Sequence, residues 1–84
     1  MSKIYLDVQV PGIARIYEFA ADSAMTVGRV KKQFTAQISA VEGREVFAEP
    51  GRVLFCSQAL EGLLSDGEIL GEVGVTSGDT IILL

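Results

Sequence analysis

Apolar and polar residues alternate over the first ten positions of the chain. The apolar members are Ile4, Leu6, Val8 and Val10, which is the period of a half-buried strand. Pro11-Gly12 is typical of a turn, and the stretch from 13 to 19 is rich in β-branched and aromatic residues. The pattern predicts an N-terminal hairpin whose second strand turns Tyr17 and Phe19 toward the core and Ile16 outward.

A helical period begins at Thr26. Apolar residues recur every three or four positions, at Val27, Val30, Phe34, Ile38 and Val41, so they share one face of a helix. The Thr26 hydroxyl can accept a main-chain N–H of the first turn, and Gly43 suits the position that ends a helix. We assign Arg29, Lys31 and Lys32 to a solvated helix face, with contact to an acidic partner as the alternative.

Shorter apolar runs in the second half predict a strand over 53–56 and a last strand over 80–84, with a looser stretch around Gly62 between them. One helix between a hairpin and these strands predicts a single α+β domain over residues 1–84. In it, one long helix packs on one face of a mixed sheet of four to five strands. The first and last strands are expected to pair in parallel, because the helix supplies the long crossover.

Composition and charge narrow the classes of function. Hydrophobic residues make up 49% of the chain and charged residues 21%, so we expect a folded domain. The net charge is −4, and all seven Lys and Arg residues lie at or before Arg52. The acidic remainder would repel a phosphate backbone, so we expect no nucleic-acid partner. No apolar run approaches the ~18 residues of a membrane span, so we expect no direct membrane insertion.

The chain also lacks most catalytic side-chain types. It has no histidine and one cysteine, which excludes Cys/His zinc sites and His-dependent nucleophiles. We therefore expect no catalytic residue, no metal and no cofactor, and a chain that is not an enzyme. Cys56 is expected to be inert, and a lone cysteine favours a reducing, cytoplasmic location.

The last strands suggest an exposed apolar surface. If Val53, Ile81 and Leu83 face the helix, alternation turns the intervening residues to the opposite sheet face. The candidate partner-binding residues are Leu54, Ile82, Leu84 and Ile16. An apolar patch of this kind often marks an interaction, with a protein partner or with a second copy in a weak homodimer. The alternatives are a strand covered by a loop and scattered surface residues.

Several segments resemble ubiquitin and its relatives. The segments Thr26-Val27-x-x-Val30-Lys31-x-x-Phe34 and Arg52-Val53-Leu54-Phe55-Cys56-x-x-x-Leu60-Glu61 resemble the start of the ubiquitin helix and its third strand. The resemblance implies a ubiquitin-like β-grasp fold. It also implies that Leu54, Ile82 and Leu84 hold the positions of the exposed patch where ubiquitin's partners dock.

Two departures refine the resemblance. The sequence reaches Leu83-Leu84 without the Gly-Gly tail of a modifier, so we expect a protein that is not conjugated. The long helix and Val75-Thr76-Ser77-Gly78-Asp79-Thr80 are similar to the YukD-like (EsaB) family of bacterial ubiquitin-like proteins. That family implies a cytoplasmic accessory of a type VII secretion system, which contacts cytoplasmic domains of a membrane machine. The alternative is a small structural ubiquitin-like subunit of a multicomponent enzyme assembly.

Overall fold

The computed structural model describes residues 2–84. Its elements are the strands β1 (Lys3–Val10) and β2 (Arg15–Asp22), the helix α1 (Val27–Glu42), and the strands β3 (Phe55–Ser57), β4 (Gly62–Leu64) and β5 (Thr80–Leu83). Single 3₁₀ turns occupy Pro11–Ile13 and Pro50–Arg52. The order across the sheet is β2-β1-β5-β3-β4. β1 and β5 are parallel and the other neighbours antiparallel, so the predicted mixed sheet is confirmed.

The core lies between α1 and one face of this sheet. Phe34 is fully buried near its centre, with its ring centroid 5.3 Å from that of Phe19 and 6.3 Å from that of Phe55. Tyr17 stacks on Phe19 at 5.3 Å, whereas Ile16 is exposed. The predicted orientation of the second strand is therefore confirmed. So is the burial of the helix residues Val27, Val30, Phe34 and Ile38.

Both predicted helix caps are confirmed. The Thr26 hydroxyl accepts a hydrogen bond from the Arg29 N–H at 3.3 Å. Gly43 follows the last helical residue with φ +70°, in the left-handed region that glycine adopts without steric cost. The helix therefore begins and ends where the sequence places its caps.

The loop before β5 completes the N-terminus of α1. The Glu68 carbonyl accepts from Val27 N–H at 2.8 Å, and the Asp66 carbonyl accepts from Gly28 N–H at 2.9 Å. These bonds satisfy donors that a helix start otherwise leaves unpaired. A Cβ at Gly28 would lie 3.1 Å from the Asp66 Cβ, so the small residue permits this close approach.

The placement of Lys31 on a solvated face is wrong. Its side chain is only 7% exposed, and its ammonium donates to Asp66 Oδ1 at 2.8 Å and to the Gly51 carbonyl at 3.3 Å. Position 31 lies one turn after Val27, beside the apolar stripe, and the core extends to it. A lysine can occupy such a site because its aliphatic stem packs while its charged end reaches polar partners.

Val41 shares the apolar face of the helix in the sequence pattern, but 66% of it is exposed. The buried residues of α1 end at Ile38, so its last turn extends past the core. In that turn Glu42 faces the sheet instead, and its carboxylate accepts from the Tyr17 hydroxyl at 2.5 Å. Burial and this hydrogen bond raise the pKa of Tyr17.

The sequence pattern did not identify β4. Glu61 has φ +55° and reverses the chain, so that Gly62–Leu64 pairs antiparallel with β3. The predicted strand over 53–56 is displaced accordingly, because regular pairing begins at Phe55 and includes Ser57. The looser stretch around Gly62 thus contains the fifth strand of the sheet.

Candidate functional site

The sheet face opposite α1, called the outer face here, carries a row of side chains that crosses every strand. Strand register places one member on each neighbour, in the order Ile16, Gln9, Ile82, Cys56 and Leu63. Residues directly opposite each other on paired strands point to the same face. The row therefore runs from one edge of the sheet to the other.

A pair of leucines lies beside one end of this row. The Leu84 N–H donates to the Leu54 carbonyl at 3.0 Å, and the Leu54 N–H donates to the Leu84 carbonyl at 3.5 Å. Leu54 precedes Cys56 by two residues and Leu84 follows Ile82 by two, so all four share the outer face. The structure thus brings together three of the four predicted residues, while Ile16 lies across Gln9 from Ile82.

Exposed apolar side chains concentrate on this face. Within residues 2–84, seven large hydrophobic residues are exposed. The five on the outer face, between 47% and 69% exposed, are Tyr5, Ile16, Leu54, Leu63 and Leu84. Only Val41 and Leu60 lie elsewhere, on α1 and in the turn before β4. Single exposed apolar residues are ordinary on protein surfaces, but a cluster such as Leu54, Ile82 and Leu84 indicates an interaction site.

The sequence reasoning missed Leu63 and the position of Cys56. The signal for Leu63 was the pair Leu63-Leu64 directly after Glu61-Gly62, a short apolar run behind a turn. Cys56 is half-buried between Ile82 and Leu63 in the row. Burial raises the pKa of its thiol, which keeps it protonated and a poor nucleophile near neutral pH.

Two carboxylates border this row, which is apolar except for Gln9 and is called the apolar row here. Register pairs Asp7 with Glu18 on the adjacent strand, two residues from Gln9 and Ile16, and both side chains are exposed on the outer face. Neither belongs to an ion pair found within residues 2–84. Lys3 lies farther along β1, with its ammonium 5.6 Å from the centre of the Tyr5 ring. The outer face is therefore acidic beside its apolar centre.

A groove adjoins the row at the β4 edge. Its volume is about 530 Å³, and its lining includes Leu54, Leu63 and the Lys31–Asp66 ion pair. The groove lies where β3 and β4 diverge beyond their three paired positions. It offers an apolar side chain of a partner a recess next to the two exposed leucines.

Comparison with known proteins supports the fold at low sequence identity. A scan against protein-family models and a search of curated proteins each give no match. The solution structure of the ubiquitin-like domain of Arabidopsis thaliana protein At2g32350 is similar, with a TM-score of 0.71 and 24% identity. That match covers 100% of this chain and 78% of that one. A ubiquitin from Caldiarchaeum subterraneum gives 0.69 and 20%, over 98% and 91% of the two chains.

A third solved structure, the N-terminal ubiquitin-like domain of the 4931431F19Rik protein, has a TM-score of 0.72 and 24% identity. The match covers 98% of this chain and 73% of that one. Together these structures show that the chain has a ubiquitin-like fold. Identities this low bear on the fold alone, and no comparison places the chain in the YukD-like family. Separately, no helix within residues 2–84 has the length and apolar character that crossing a bilayer requires.

Proposed function

We propose that this ubiquitin-like chain is a protein-binding module that acts through its outer face and catalyses no reaction. The observation that supports this most strongly is the concentration of exposed apolar side chains on one sheet face, five of seven within residues 2–84. Water contact at these side chains is unfavourable, and a partner that covers them removes it. The inner face needs no partner because α1 already covers it.

The magnitude of the effect indicates a reversible complex. Covering one exposed leucine or isoleucine contributes about 1.5–3 kcal/mol at full burial. A few such residues, reduced by the entropy lost on association, support binding in the range of transient interactions. An obligate interface normally buries about 2,000 Å² or more and is more apolar, whereas here Gln9, Asp7 and Glu18 interrupt the apolar surface.

We further propose that the chain acts without being conjugated to other proteins. Ubiquitin-type modifiers are activated through a terminal Gly-Gly, and no two glycines are adjacent anywhere in these 84 residues. Incubated with an activating enzyme and ATP, the chain is expected to form neither an adenylate nor a thioester. Mass spectrometry of the intact chain measures this directly, and a covalent adduct with the activating enzyme or with AMP would contradict it.

More specifically, we propose that the chain is a cytoplasmic accessory of a bacterial type VII secretion system. The support is the sequence similarity to the YukD-like family in the long helix and in Val75-Thr76-Ser77-Gly78-Asp79-Thr80. Immunoprecipitation of the chain from its source cells is expected to recover the FtsK-like ATPase of the secretion machine. Recovery of an oxygenase-type enzyme in fixed stoichiometry would instead establish the alternative, a small structural subunit.

The binding surface itself is tested by Leu54→Asp, with Leu60→Asp as the matched control. Both leucines are similarly exposed, at 47% and 44%, but only Leu54 lies on the outer face. A buried charge without a partner opposes association strongly, so Leu54→Asp is expected to weaken partner capture by about tenfold or more. Leu60→Asp is expected to leave capture unchanged.

Thermal unfolding of both variants separates binding from folding. Each is expected to melt within a few degrees of the native chain, because both side chains already contact water. Equal capture by the two variants would refute the outer face as the binding surface. A large loss of stability in Leu54→Asp with unchanged capture would place Leu54 in the core.

A further inference from the structure

The direction of the apolar row restricts the shape of what covers it. The row crosses five strands, so it spans four strand spacings of about 4.8 Å, or about 19 Å in all. The main-chain groups of β1, β5 and β3 are committed to neighbouring strands on both sides. A partner at the centre of the face therefore meets side chains and no free main-chain edge, which disfavours recognition by strand addition.

A helix laid across the strands matches this row. At a rise of 1.5 Å per residue, about 13 helical residues span 19 Å. Apolar side chains at three- and four-residue spacing on such a helix form a stripe of the same length. The sheet already carries one helix, α1, on its inner face. A second helix on the outer face would complete a three-layer arrangement in which both sheet faces are covered.

The two carboxylates beside the row determine the charge of that helix. Like charges directly opposite each other on paired strands are destabilising, and register sets Asp7 against Glu18 in this way. Thr80, on the other side of Asp7, is uncharged. A lysine or arginine of the partner, placed next to Asp7 and Glu18, would be attracted to both carboxylates and would reduce the repulsion between them.

A second copy of this chain fits the face less well than a basic partner. Each copy carries a net charge of −4, so association of two copies opposes like charges at the scale of the whole molecule. It would also bring a second Asp7–Glu18 pair to the interface, and neither that pair nor the apolar row contains a basic residue. The charge distribution therefore favours a partner of opposite sign.

We infer that the outer face binds an amphipathic helix of a partner protein, about four turns long, whose apolar stripe covers the row while lysine or arginine on its flank pairs with Asp7 and Glu18. This inference rests on the proposed function and specifies the chemistry of its partner. It assigns different tasks to the two parts of the surface. The apolar row and the Leu54–Leu84 pair beside it supply most of the affinity. The carboxylates orient the helix and discriminate against acidic helices.

A selection experiment with random peptides tests the inference and requires no identified partner. Peptides of about 16 residues, long enough for the expected helix, are displayed on phage and selected on the immobilised full chain. The enriched consensus is then synthesised and titrated against three proteins: the native chain, Leu54→Asp, and the double variant Asp7→Asn/Glu18→Gln. We expect a consensus with apolar residues at three- and four-residue spacing and a net positive charge, which becomes helical on binding.

The variants are expected to respond differently. Leu54→Asp should weaken the peptide by about tenfold or more, as in the capture experiment. The double variant should weaken it about threefold to tenfold, as expected for two exposed ion pairs, and should flatten its salt dependence. Thermal stability of the double variant should equal or exceed that of the native chain, since a cross-strand repulsion has been removed.

The outcomes also distinguish failure of the inference from failure of the proposed function. A neutral, acidic or extended consensus that Leu54→Asp abolishes would overturn the basic helix and leave the outer face as the binding surface. A consensus indifferent to Leu54→Asp, or no enrichment at all, would count against both. Concentration-dependent dimers in sedimentation experiments, abolished by Leu54→Asp, would overturn the inference in favour of a second copy.

Discussion

Replacing Phe34 with alanine is expected to lower the free energy of unfolding by about 3–5 kcal/mol. The ring is fully buried and lies between those of Phe19 and Phe55, with centroids 5.3 and 6.3 Å away. Its removal leaves a cavity between α1 and the sheet that neither element can close without moving. A domain of this size has a stability of about 5–10 kcal/mol, so the variant is expected to be marginally folded at room temperature. Urea unfolding followed by circular dichroism measures the loss.

Val41→Ala is the matched control for Phe34→Ala. It also truncates an apolar side chain of α1, but Val41 is 66% exposed, so its cost is expected to stay within about 0.5 kcal/mol. A Phe34→Ala chain as stable as the native one would mean that the inward face of the helix has been misassigned. A comparable loss in Val41→Ala would mean that the last turn of α1 packs more closely than the structure shows.

Asp66→Ala is expected to produce the second-largest loss, about 2–3 kcal/mol. The substitution leaves the Lys31 ammonium, in a side chain only 7% exposed, with the Gly51 carbonyl at 3.3 Å as its hydrogen-bond acceptor. Asp66 itself is 60% exposed, so solvent can reach the site in part. For that reason the expected loss is below the 3–5 kcal/mol or so that follows breaking a fully buried pair. Chemical unfolding of the variant measures it.

A substitution at Lys31, the other member of the ion pair, distinguishes the cost of an unpaired buried charge from the cost of a lost contact. Lys31→Met keeps the aliphatic stem and removes the charge, so its cost is expected to be about 1 kcal/mol or less. Combined with Asp66→Ala, it should restore most of the lost stability, because no unpaired ammonium remains. Strictly additive losses in the double variant would contradict this account, since they would mean that the two side chains do not interact.

Periodicity in the sequence predicted the elements in which many residues repeat one pattern. The alternation over β1 and the three- and four-residue spacing along α1 each extend over several repeats, so single exceptions do not obscure them. β4 has three residues, and its turn depends on Glu61 with φ +55°. A strand this short has no period to detect. Lys31 was misplaced because the pattern of residue types treats every lysine as exposed, whereas its burial depends on Asp66, 35 positions away.

The sequence likewise predicted some residues of the candidate site and missed others. Alternation alone turned Leu54, Ile82 and Leu84 outward, and the structure brings them together. Leu63 was missed with its strand. The opposition of Asp7 and Glu18 depends on the hairpin register, which the turn around Pro11–Ile13 sets and the sequence pattern left open. The sequence therefore predicted which side chains of a single strand point outward. Contacts between segments distant in the sequence could be identified only from the structure.

The single cysteine of the chain gives the most direct test of the outer face as a binding surface. Cys56 lies in the apolar row between Ile82 and Leu63 and is half-buried, so a partner seated on that face covers its thiol. Because burial keeps the thiol protonated near neutral pH, alkylation of Cys56 is carried out at mildly alkaline pH. It is followed by mass spectrometry in the free chain and in the chain with its captured partner. We predict that the partner slows alkylation about tenfold or more once about nine-tenths of the chain is bound, because only the free fraction exposes the thiol. Equal alkylation rates in the free and bound chain would show that the partner binds elsewhere.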